Sequence, residues 1–307
     1  MTINWSLTRR LPTLKARAAI IHEIRRFFRE EGYLEVDTPL RIPAPAPEAH
    51  IDAIPSDGWH LQTSPELCMK RMLSAGFDRI YQISHCWRSD ERGQLHLPEF
   101  TMLEWYRAGT DYRGLMDECE VLLRTVVQAM DKGEHLQFRG RKIDLSRPWE
   151  RISVRNAFTR HGQLHMDEAL ERNLFDEIMV REIEPELGLD KPVFIHDYPA
   201  ERSALARLKG DDPSVSERFE LYIGGLELAN AFSELTDPLE QRARFIAERE
   251  YRRACGKRDY PLPEKFLEEL AAMPLAAGIA LGIDRLVMVL LDKTSIDEVV
   301  AFTPEEL

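Results

Sequence analysis

The sequence predicts an α+β fold, an antiparallel sheet flanked by helices, and three observations lead to that class. Candidate strands are scattered among candidate helices without the regular βαβ alternation of a parallel sheet. The 307 residues, 44% hydrophobic and 31% charged, have the composition of a globular protein. No internal repeat and no low-complexity linker interrupts them. We therefore expect one domain over residues 1–307, with a helical and mixed insertion at about 130–215.

The first part of the chain is predicted to alternate helices with short strands. Residues 13–31 place Ile20, Ile24 and Phe28 on one helical face, and Gly32 is a typical C-terminal stop. The next elements in order are a strand at 33–36, a proline-rich loop at 43–47 and a helix that runs from Ser64, its N-cap, to about residue 75. Strands at 79–90 and 99–107 and a helix at 113–131 follow.

The second part of the chain contains the other predicted strands. Residues 135–150 are mixed, and residues 153–190 form helical pieces with weak boundaries. The remaining elements are strands at 217–223 and 227–235 around a diglycine turn, a charged helix at 238–254, a small-residue strand at 278–282 and a helix at 284–291.

Charge and cysteine content narrow the class of protein. With 41 Lys and Arg against 53 Asp and Glu, the net charge is −12. We find no basic arm or domain that could bind the phosphate backbone of a nucleic acid. Extensive nucleic-acid binding is therefore disfavoured. The widely spaced Cys68, Cys86, Cys119 and Cys255 favour free thiols in a reducing compartment. Since we find no signal peptide and no membrane span, we expect a cytoplasmic protein.

The strand at 99–107 combines apolar and charged side chains on one face. Residues of equal parity share a face, so Phe100, Glu104 and Tyr106 point the same way. Arg88 and Asp90 share a face of the preceding strand, and a hairpin can bring Arg88 beside Phe100 and Glu104. The pattern is either a cross-strand Arg–Glu pair or one wall of a site that binds both signs of charge.

A second strand repeats this pattern. Asn230, Phe232 and Glu234 have one parity, and that face is either exposed to solvent or lines a pocket, because unpaired buried polar groups are costly. Glu220 and Glu227 flank the diglycine turn, where two carboxylates could approach each other. Such a pair repels unless a divalent cation lies between them, and Mg²⁺ binds carboxylate oxygens together with substrate phosphates.

A third segment with candidate site residues is the small-residue strand at 278–282 together with the helix that follows it. Small residues let a ligand approach the strand backbone, and Arg285 lies in the first turn of the helix, where an anion is favoured. An arginine in a first turn is usually only exposed, so this signal alone is weak. The chain has no Walker A sequence and no GxGxxG, so a nucleotide would have to bind by another fold.

Taken in order, these pieces resemble the three signature motifs of the class II aminoacyl-tRNA synthetases, and most of all their lysyl branch. The stretches that carry the resemblance are TSPELCMKR at 63–71, HLPEFTMLEWY at 96–106, ELANAFSELTD at 227–237 and ALGIDRLVM at 280–288. The resemblance covers nearly the whole chain. The first helix, its strand and Pro39 resemble the dimer-forming first motif, which implies a homodimer.

Lysyl-tRNA synthetases carry an anticodon-binding domain before the first motif, whereas here that motif begins near residue 15. The chain is therefore similar to the bacterial paralogues that attach (R)-β-lysine or lysine to translation elongation factor P. Ala280 replaces a usual Gly, as in those ligases. The alternatives are a lysyl-tRNA synthetase-like enzyme acting on tRNA, an inactive regulator, which usually loses the motif arginines, and an ammonia-dependent asparagine synthetase.

The resemblance also implies a reaction through an aminoacyl-adenylate, with ATP and Mg²⁺. It assigns catalytic roles to Arg88 and Arg285. Binding of ATP is assigned to Arg88, Asp90, His96, Phe100, Glu227 and Arg285. Binding of the amino-acid substrate is assigned to Glu66, Arg88, Glu104, Tyr106, Asn230, Phe232, Glu234 and Ala280. Binding of the metal is assigned to Glu220 and Glu227. The sequence departs from the residues usual in this family at four positions, Ser89, Asp90, Leu97 and Ala231. Asp90 replaces a Glu and is one methylene shorter, so the sequence does not establish that its carboxylate reaches the adenine.

Overall fold

The computed structural model describes residues 5–307, whose strands and helices we number in chain order. The strands are β1 Leu34–Glu35, β2 Arg41–Ile42, β3 Pro55–Ser56, β4 Trp59–Leu61, β5 Arg79–Trp87, β6 Glu99–Ala108, β7 His135–Phe138, β8 Arg141–Asp144, β9 Glu150–Ser153, β10 Val193–Pro199, β11 Leu208–Lys209, β12 Asp212–Ile223, β13 Leu226–Ser233 and β14 Ala276–Gly282. The α-helices are α1 Trp5–Glu30, α2 Glu66–Ser74, α3 Tyr112–Ala129, α4 Val154–His161, α5 Met166–Glu171, α6 Phe175–Ile178, α7 Pro238–Ala254, α8 Glu264–Glu269 and α9 Ile283–Leu290.

A mainly antiparallel sheet organises the described part of the chain. Its strand order is β1-β5-β6-β14-β13-β12-β10-β9, with β11 paired to β12. Only the outer pairs β1–β5 and β9–β10 are parallel among these strands. Helices pack on the sheet, so the predicted α+β class is confirmed. Two small sheets, β2-β4-β3 and β7-β8, lie beside it.

The two faces of the central strands have different surroundings. The odd-numbered residues of β6, such as Leu103 and Trp105, are buried in the main core together with Phe28 of α1 and Val287 of α9. The even-numbered residues face the other way, toward α2 and a cavity. Alternation along the strand therefore separates the structural side chains from those available to a ligand, as the sequence predicts.

The first helix begins about two turns earlier than predicted. It runs over Trp5–Glu30 and includes Pro12, whereas the sequence predicts a start near residue 13. Contacts with the C-terminal end of the chain accompany the extra turns: Arg10 forms an ion pair of 2.7 Å with Glu306, and Ser6 Oγ donates to the same carboxylate. At the other end, Gly32 has a positive φ of 76°, as its predicted role as a stop requires.

The start of α2 is one residue later than predicted, and Ser64 has a second role. The N-cap is Pro65, while Ser64 Oγ accepts the backbone N–H of Glu66 at 3.0 Å and donates to Glu104 Oε1 at 2.5 Å. The hydroxyl therefore joins the helix to β6. The four cysteines are free thiols, as predicted. No helix among residues 5–307 combines the length and apolar character needed to cross a membrane.

The region predicted as an insertion both extends the sheet and builds a core of its own. Strands β9 and β10 pair with each other at the edge of the central sheet, and β10 also pairs with β12. Helices α4 to α6 enclose a separate apolar cluster that includes Phe158, Phe175 and Ile183. The division of the chain into a single domain with an insertion at about 130–215 stays a prediction.

Candidate active site

A cavity of about 280 Å³ opens on the ligand-facing side of the sheet. It lies between the central strands, the start of α2 and the loop that joins β5 to β6. Eleven of the predicted site residues line it: Glu66, Arg88, His96, Phe100, Glu104, Tyr106, Glu227, Asn230, Phe232, Ala280 and Arg285. Three do not: Asp90, Glu220 and Glu234. Residues far apart in the chain therefore meet in one place.

Strand register explains why these side chains meet. Glu104 of β6 lies opposite Ala280 of β14, which in turn lies opposite Asn230 of β13. These three form one row across the sheet. The next row contains Tyr106, Gly278 and Phe232. Because both rows fall on the same face, they form the floor of the cavity.

Gly278 has a steric reason to be glycine. A Cβ atom there would lie 2.2 Å from the Tyr106 ring and 2.5 Å from Glu234 Oε1. Both distances are well below van der Waals contact. The absence of a side chain on β14 therefore lets Tyr106 and Glu234 approach each other across the strand.

Arg88 occupies one end of the cavity. Its guanidinium lies over the Phe100 ring, with Cζ 5.1 Å from the ring centroid. The backbone N–H of Arg88 donates to the carbonyl of Pro98, which holds the residue beside the start of β6. Its Nε is buried and has no hydrogen-bond partner within residues 5–307. The predicted meeting of Arg88 with Phe100 is confirmed, and the arginine keeps unused donor capacity.

The predicted strand over 79–90 is wrong at its end. Strand β5 stops at Trp87, and Asp90 has a φ of 62°, a left-handed conformation outside the β region that regular strand residues adopt. Asp90 is exposed and accepts a hydrogen bond from Ser89 Oγ. Because the strand alternation has ended, Glu91, and not Asp90, lines the cavity. The Glu91 carboxylate lies 4.0 Å from the Arg88 guanidinium.

Arg285 approaches the same end of the cavity from the first turn of α9. Its Nη1 donates to the backbone carbonyl of Glu227 at 2.9 Å and lies 3.3 Å from the Glu227 carboxylate. Its Nη2 lies 2.5 Å from His96 Nε2. Burial and the neighbouring Arg285 lower the pKa of His96, so the ring is neutral at pH 7 and accepts at Nε2. Three of the predicted nucleotide-binding residues therefore form one connected group.

The opposite end of the cavity is acidic. Glu104 is 1% exposed and accepts from Ser64 and, at 2.8 Å, from the Tyr106 hydroxyl. Burial raises its pKa to about 8, with a further contribution from Glu66. Glu234, fully buried behind Gly278, likewise has a pKa of about 8 because of its burial. These carboxyls are held out of water at a cost that a cationic ligand would offset.

Lys70 enters this acidic end from α2, where the sequence analysis did not place a site residue. Its ammonium lies 2.5 Å from Glu66 Oε1 and 2.5 Å from Glu234 Oε2, and its side chain is 1% exposed. A signal was available, since Lys70 follows Glu66 by one helical turn. Other charged residues that the sequence did not indicate are Glu48 and Glu91, which line the cavity, and Arg218, which donates to both Glu220 and Asn230.

The two carboxylates predicted to bind a metal are neighbours, although only Glu227 lines the cavity. Glu220 accepts hydrogen bonds from Arg218, Tyr198 and Tyr222. Burial, followed by the field of Glu227, raises the pKa of Glu220. A divalent cation would counter both causes, and carboxylate oxygens are the donors that Mg²⁺ prefers. The pair therefore suits this ion in its donor chemistry.

Basic and acidic side chains lie at opposite ends of the cavity. Arg88 and Arg285 lie at one end, where a polyanion or a carboxylate could bind, and Glu66, Glu104 and Glu234 lie around the other. The ring of Phe100 packs against Arg88 at the basic end, and the ring of Phe232 packs against Lys70 at the acidic end. Such an arrangement can hold a molecule that carries an anionic group and an ammonium group, and can shield both from water.

Comparison with known proteins agrees with this chemistry. The family model of tRNA synthetases class II (D, K and N) matches residues 4–306. The elongation factor P–(R)-β-lysine ligase of Proteus mirabilis is 39% identical over 315 residues, covering 97% of each chain. The same-named proteins of Vibrio cholerae and Erwinia tasmaniensis are each 37% identical, covering 97% and 98% of both chains. The chain belongs to the tRNA synthetases class II (D, K and N) and, within them, to the family of the elongation factor P–(R)-β-lysine ligases.

Proposed function

We propose that this chain uses ATP to activate (R)-β-lysine or lysine as an aminoacyl-adenylate and transfers the aminoacyl group to a lysine ε-amine of translation elongation factor P. One observation carries the proposal: a single cavity has unsatisfied cationic capacity at Arg88 and buried carboxylates at the other end. The names of the relatives supply the acceptor protein.

In this proposal the basic end of the cavity binds ATP and the reacting carboxylate. Arg88 holds the substrate carboxylate and the α-phosphate, where charge develops in the transition state. Phe100 and Arg285 pack on the two faces of the adenine, and neutral His96, whose Nε2 accepts from Arg285, can donate its Nδ1–H to a triphosphate oxygen. The loop conformation favours Glu91 over Asp90 for contact with the nucleotide, since Glu91 lines the cavity.

The acidic end receives the two ammonium groups of the amino acid. Glu104 and Glu234, with Glu66, are the anionic partners, and Tyr106 and Asn230 add polar contacts. Phe232 provides an apolar wall for the methylene chain. Ala280 lies in the same row as Glu104 and Asn230, so its methyl group reduces the space in which the amino group nearest the carboxylate can lie. The Ala280 methyl group would therefore help the pocket to distinguish β-amino acids from α-amino acids.

The reaction has two steps. An oxygen of the substrate carboxylate attacks the α-phosphorus of ATP, the bond to the β-phosphate oxygen breaks, and pyrophosphate leaves. The lysine ε-amine of the acceptor then attacks the acyl carbon, the bond to AMP breaks, and the amine loses a proton. No side chain of this protein acts as a nucleophile, and its contribution is positioning and charge neutralisation.

Mg²⁺ would be held by Glu220 and Glu227 and would neutralise phosphate charge when bound. The homodimer implied by the first motif, the absence of extensive tRNA binding and a cytoplasmic location belong to the same proposal. The resemblance supports the homodimer, the net charge of −12 supports the absence of extensive tRNA binding, and the free cysteines support a cytoplasmic location.

Pyrophosphate exchange with lysine and with (R)-β-lysine, followed by mass spectrometry of elongation factor P, tests the proposal. We expect exchange with at least one amino acid and a gain in mass of one lysyl residue on the factor. Absence of exchange with both would overturn the activation step. Exchange with no gain in mass on the factor would overturn the assigned acceptor. A tRNA aminoacylation assay without the factor checks the tRNA alternative.

A further inference from the structure

A buried ammonium lies within the acidic end of the cavity. The Lys70 side chain is 1% exposed, and its Nζ lies 2.5 Å from one carboxylate oxygen each of Glu66 and Glu234. The face of Phe232 covers it, with Nζ 4.9 Å from the ring centroid. Its pKa is raised, chiefly by Glu234 and then Glu66, against the effect of burial, so Lys70 is a cation at neutral pH.

Lys70 is joined to both carboxylates by the fold itself. Glu66 stands one turn earlier on the same helix, and Glu234 follows the end of β13, where its N–H donates to the carbonyl of Ala276. Stability alone does not account for this arrangement, because a buried ion pair is often no more stable than apolar residues of the same shape. A role in the charge of the pocket is therefore the stronger explanation.

The charges at this end of the cavity can be counted. Four carboxyls lie there, those of Glu48, Glu66, Glu104 and Glu234, and Lys70 is the cation paired with two of them. Its single ammonium offsets only part of the negative charge that these groups carry when ionised. The two ammonium groups of a diamino acid would pair with the carboxyls that remain.

We propose that Lys70 is a positioning residue that sets the charge of the amino-acid pocket, so that it accepts a substrate with two ammonium groups. Its ammonium orients the carboxyls of Glu66 and Glu234, favours the ionised form of Glu234, and leaves Glu104 to meet the substrate. This inference rests on the proposed function, because it assumes that the cavity binds a diamino acid.

Removal of Lys70 should change how the pocket titrates. The ionisable groups around it are Glu66 on the same helix, Glu104 and Tyr106 on β6, Glu234 after β13 and Glu48 on the loop before β3. Without the ammonium, carboxyls in this set bind protons more tightly. A doubly cationic substrate must then displace a proton, so its binding should require a higher pH.

Two variants separate charge from shape. Lys70→Met removes the charge and nearly keeps the shape, whereas Lys70→Arg keeps the charge. Lys265→Met, on the exposed face of α8, controls for the loss of a lysine elsewhere. For each protein, pyrophosphate exchange between pH 6 and pH 9 gives KM for lysine, for (R)-β-lysine and for ATP, and circular dichroism monitors folding.

For Lys70→Met we expect KM for the preferred amino acid to rise at least about tenfold. The midpoint of kcat/KM against pH should move upward by about one to three units. KM for ATP should stay within about twofold of the wild type. Lys70→Arg should keep the midpoint of the wild type, because the charge remains, and Lys265→Met should resemble the wild type throughout.

A folded Lys70→Met with an unchanged midpoint would overturn the inference, as would equal increases in KM for ATP and for the amino acid. If Lys70→Met does not fold, Lys70→Arg decides: a midpoint that differs from the wild type also overturns it. Absence of exchange in the wild type with either amino acid is a separate outcome. In that case the proposed function fails, and the charge-matching role of Lys70 fails with it.

Discussion

Arg88 shows how one residue can be free for chemistry within a folded site. It stacks on Phe100, keeps Nε unpartnered within the described chain, and has only a weak ionic contact of 4.0 Å with Glu91. Few contacts of the fold depend on its guanidinium. The side chain is therefore held in place by an aromatic ring and by the backbone, while its hydrogen-bonding groups remain for a ligand.

Replacement of Arg88 should separate activity from stability. We expect Arg88→Ala to lower pyrophosphate exchange by at least about a thousandfold, because transition-state charge loses its partner. Its free energy of unfolding should change by no more than about 1 kcal/mol, as for other residues outside the core. Exchange kinetics and urea denaturation measure the two effects, with Arg181→Ala, an exposed residue, as the control. Activity near that of the wild type would show that Arg88 does not bind the reacting groups.

For the strands, the sequence predicts the face of each side chain correctly where inward and outward side chains alternate without interruption. The face of β6 with Phe100, Glu104 and Tyr106 follows directly from parity, and the structure confirms it. The prediction failed at Asp90, because the local turn and its positive φ are set by contacts that sequence spacing does not contain. One such contact is the hydrogen bond from the Ser89 N–H to the carbonyl of Asp52.

Lys70 was missed for a different reason. A lysine four residues after a glutamate usually indicates an exposed helical pair of small energetic value. Its burial depends on Glu234, a residue far along the chain that reaches α2 only because β14 lies between β6 and β13. Local spacing could suggest the Glu66 pair, but the long-range partner follows only from the order of the strands in the sheet.

Strand β14 supports a prediction about packing. At Gly278 an added methyl group would meet the Tyr106 ring and Glu234, so we expect Gly278→Ala to destabilise the protein by about 1–3 kcal/mol. KM for the amino acid should also rise, because both neighbours would move. Gly210→Ala is the matched control, since nothing lies within 4 Å of its Cβ position. Urea denaturation gives the difference, and equal stability of the two variants would contradict the steric argument.

For the whole molecule, the acidic pocket links substrate binding to the stability of the fold. The pKa of Glu104 and that of Glu234 are about 8, because burial favours the neutral form. In an unfolded chain these groups would titrate near 4.5. Between these values the folded state binds more protons than the unfolded state. The free energy of unfolding contributed by each group therefore falls as pH rises through this range.

Titration of Glu104 can be isolated by comparing variants at each pH. Its contribution should decline by up to about 1.4 kcal/mol per pH unit between about pH 5 and pH 8. Glu104→Gln removes this titration but keeps only one of the two acceptor oxygens that Ser64 and Tyr106 use. That loss does not depend on pH, so the variant should gain stability relative to the wild type as pH rises. The lowered pKa values of His60 and His96 act in the opposite direction, but they cancel in the comparison of variants.

Urea denaturation at pH 5, 6, 7 and 8 measures the difference in unfolding free energy between Glu104→Gln and the wild type. Glu99→Gln, which changes an exposed carboxylate on the same strand, is the control. We expect the difference for Glu104→Gln to grow steadily with pH. Saturating lysine should reduce it, because a bound ammonium stabilises the ionised Glu104 of the wild type. A difference that stays constant from pH 5 to pH 8 would mean that Glu104 is already ionised in the ligand-free protein.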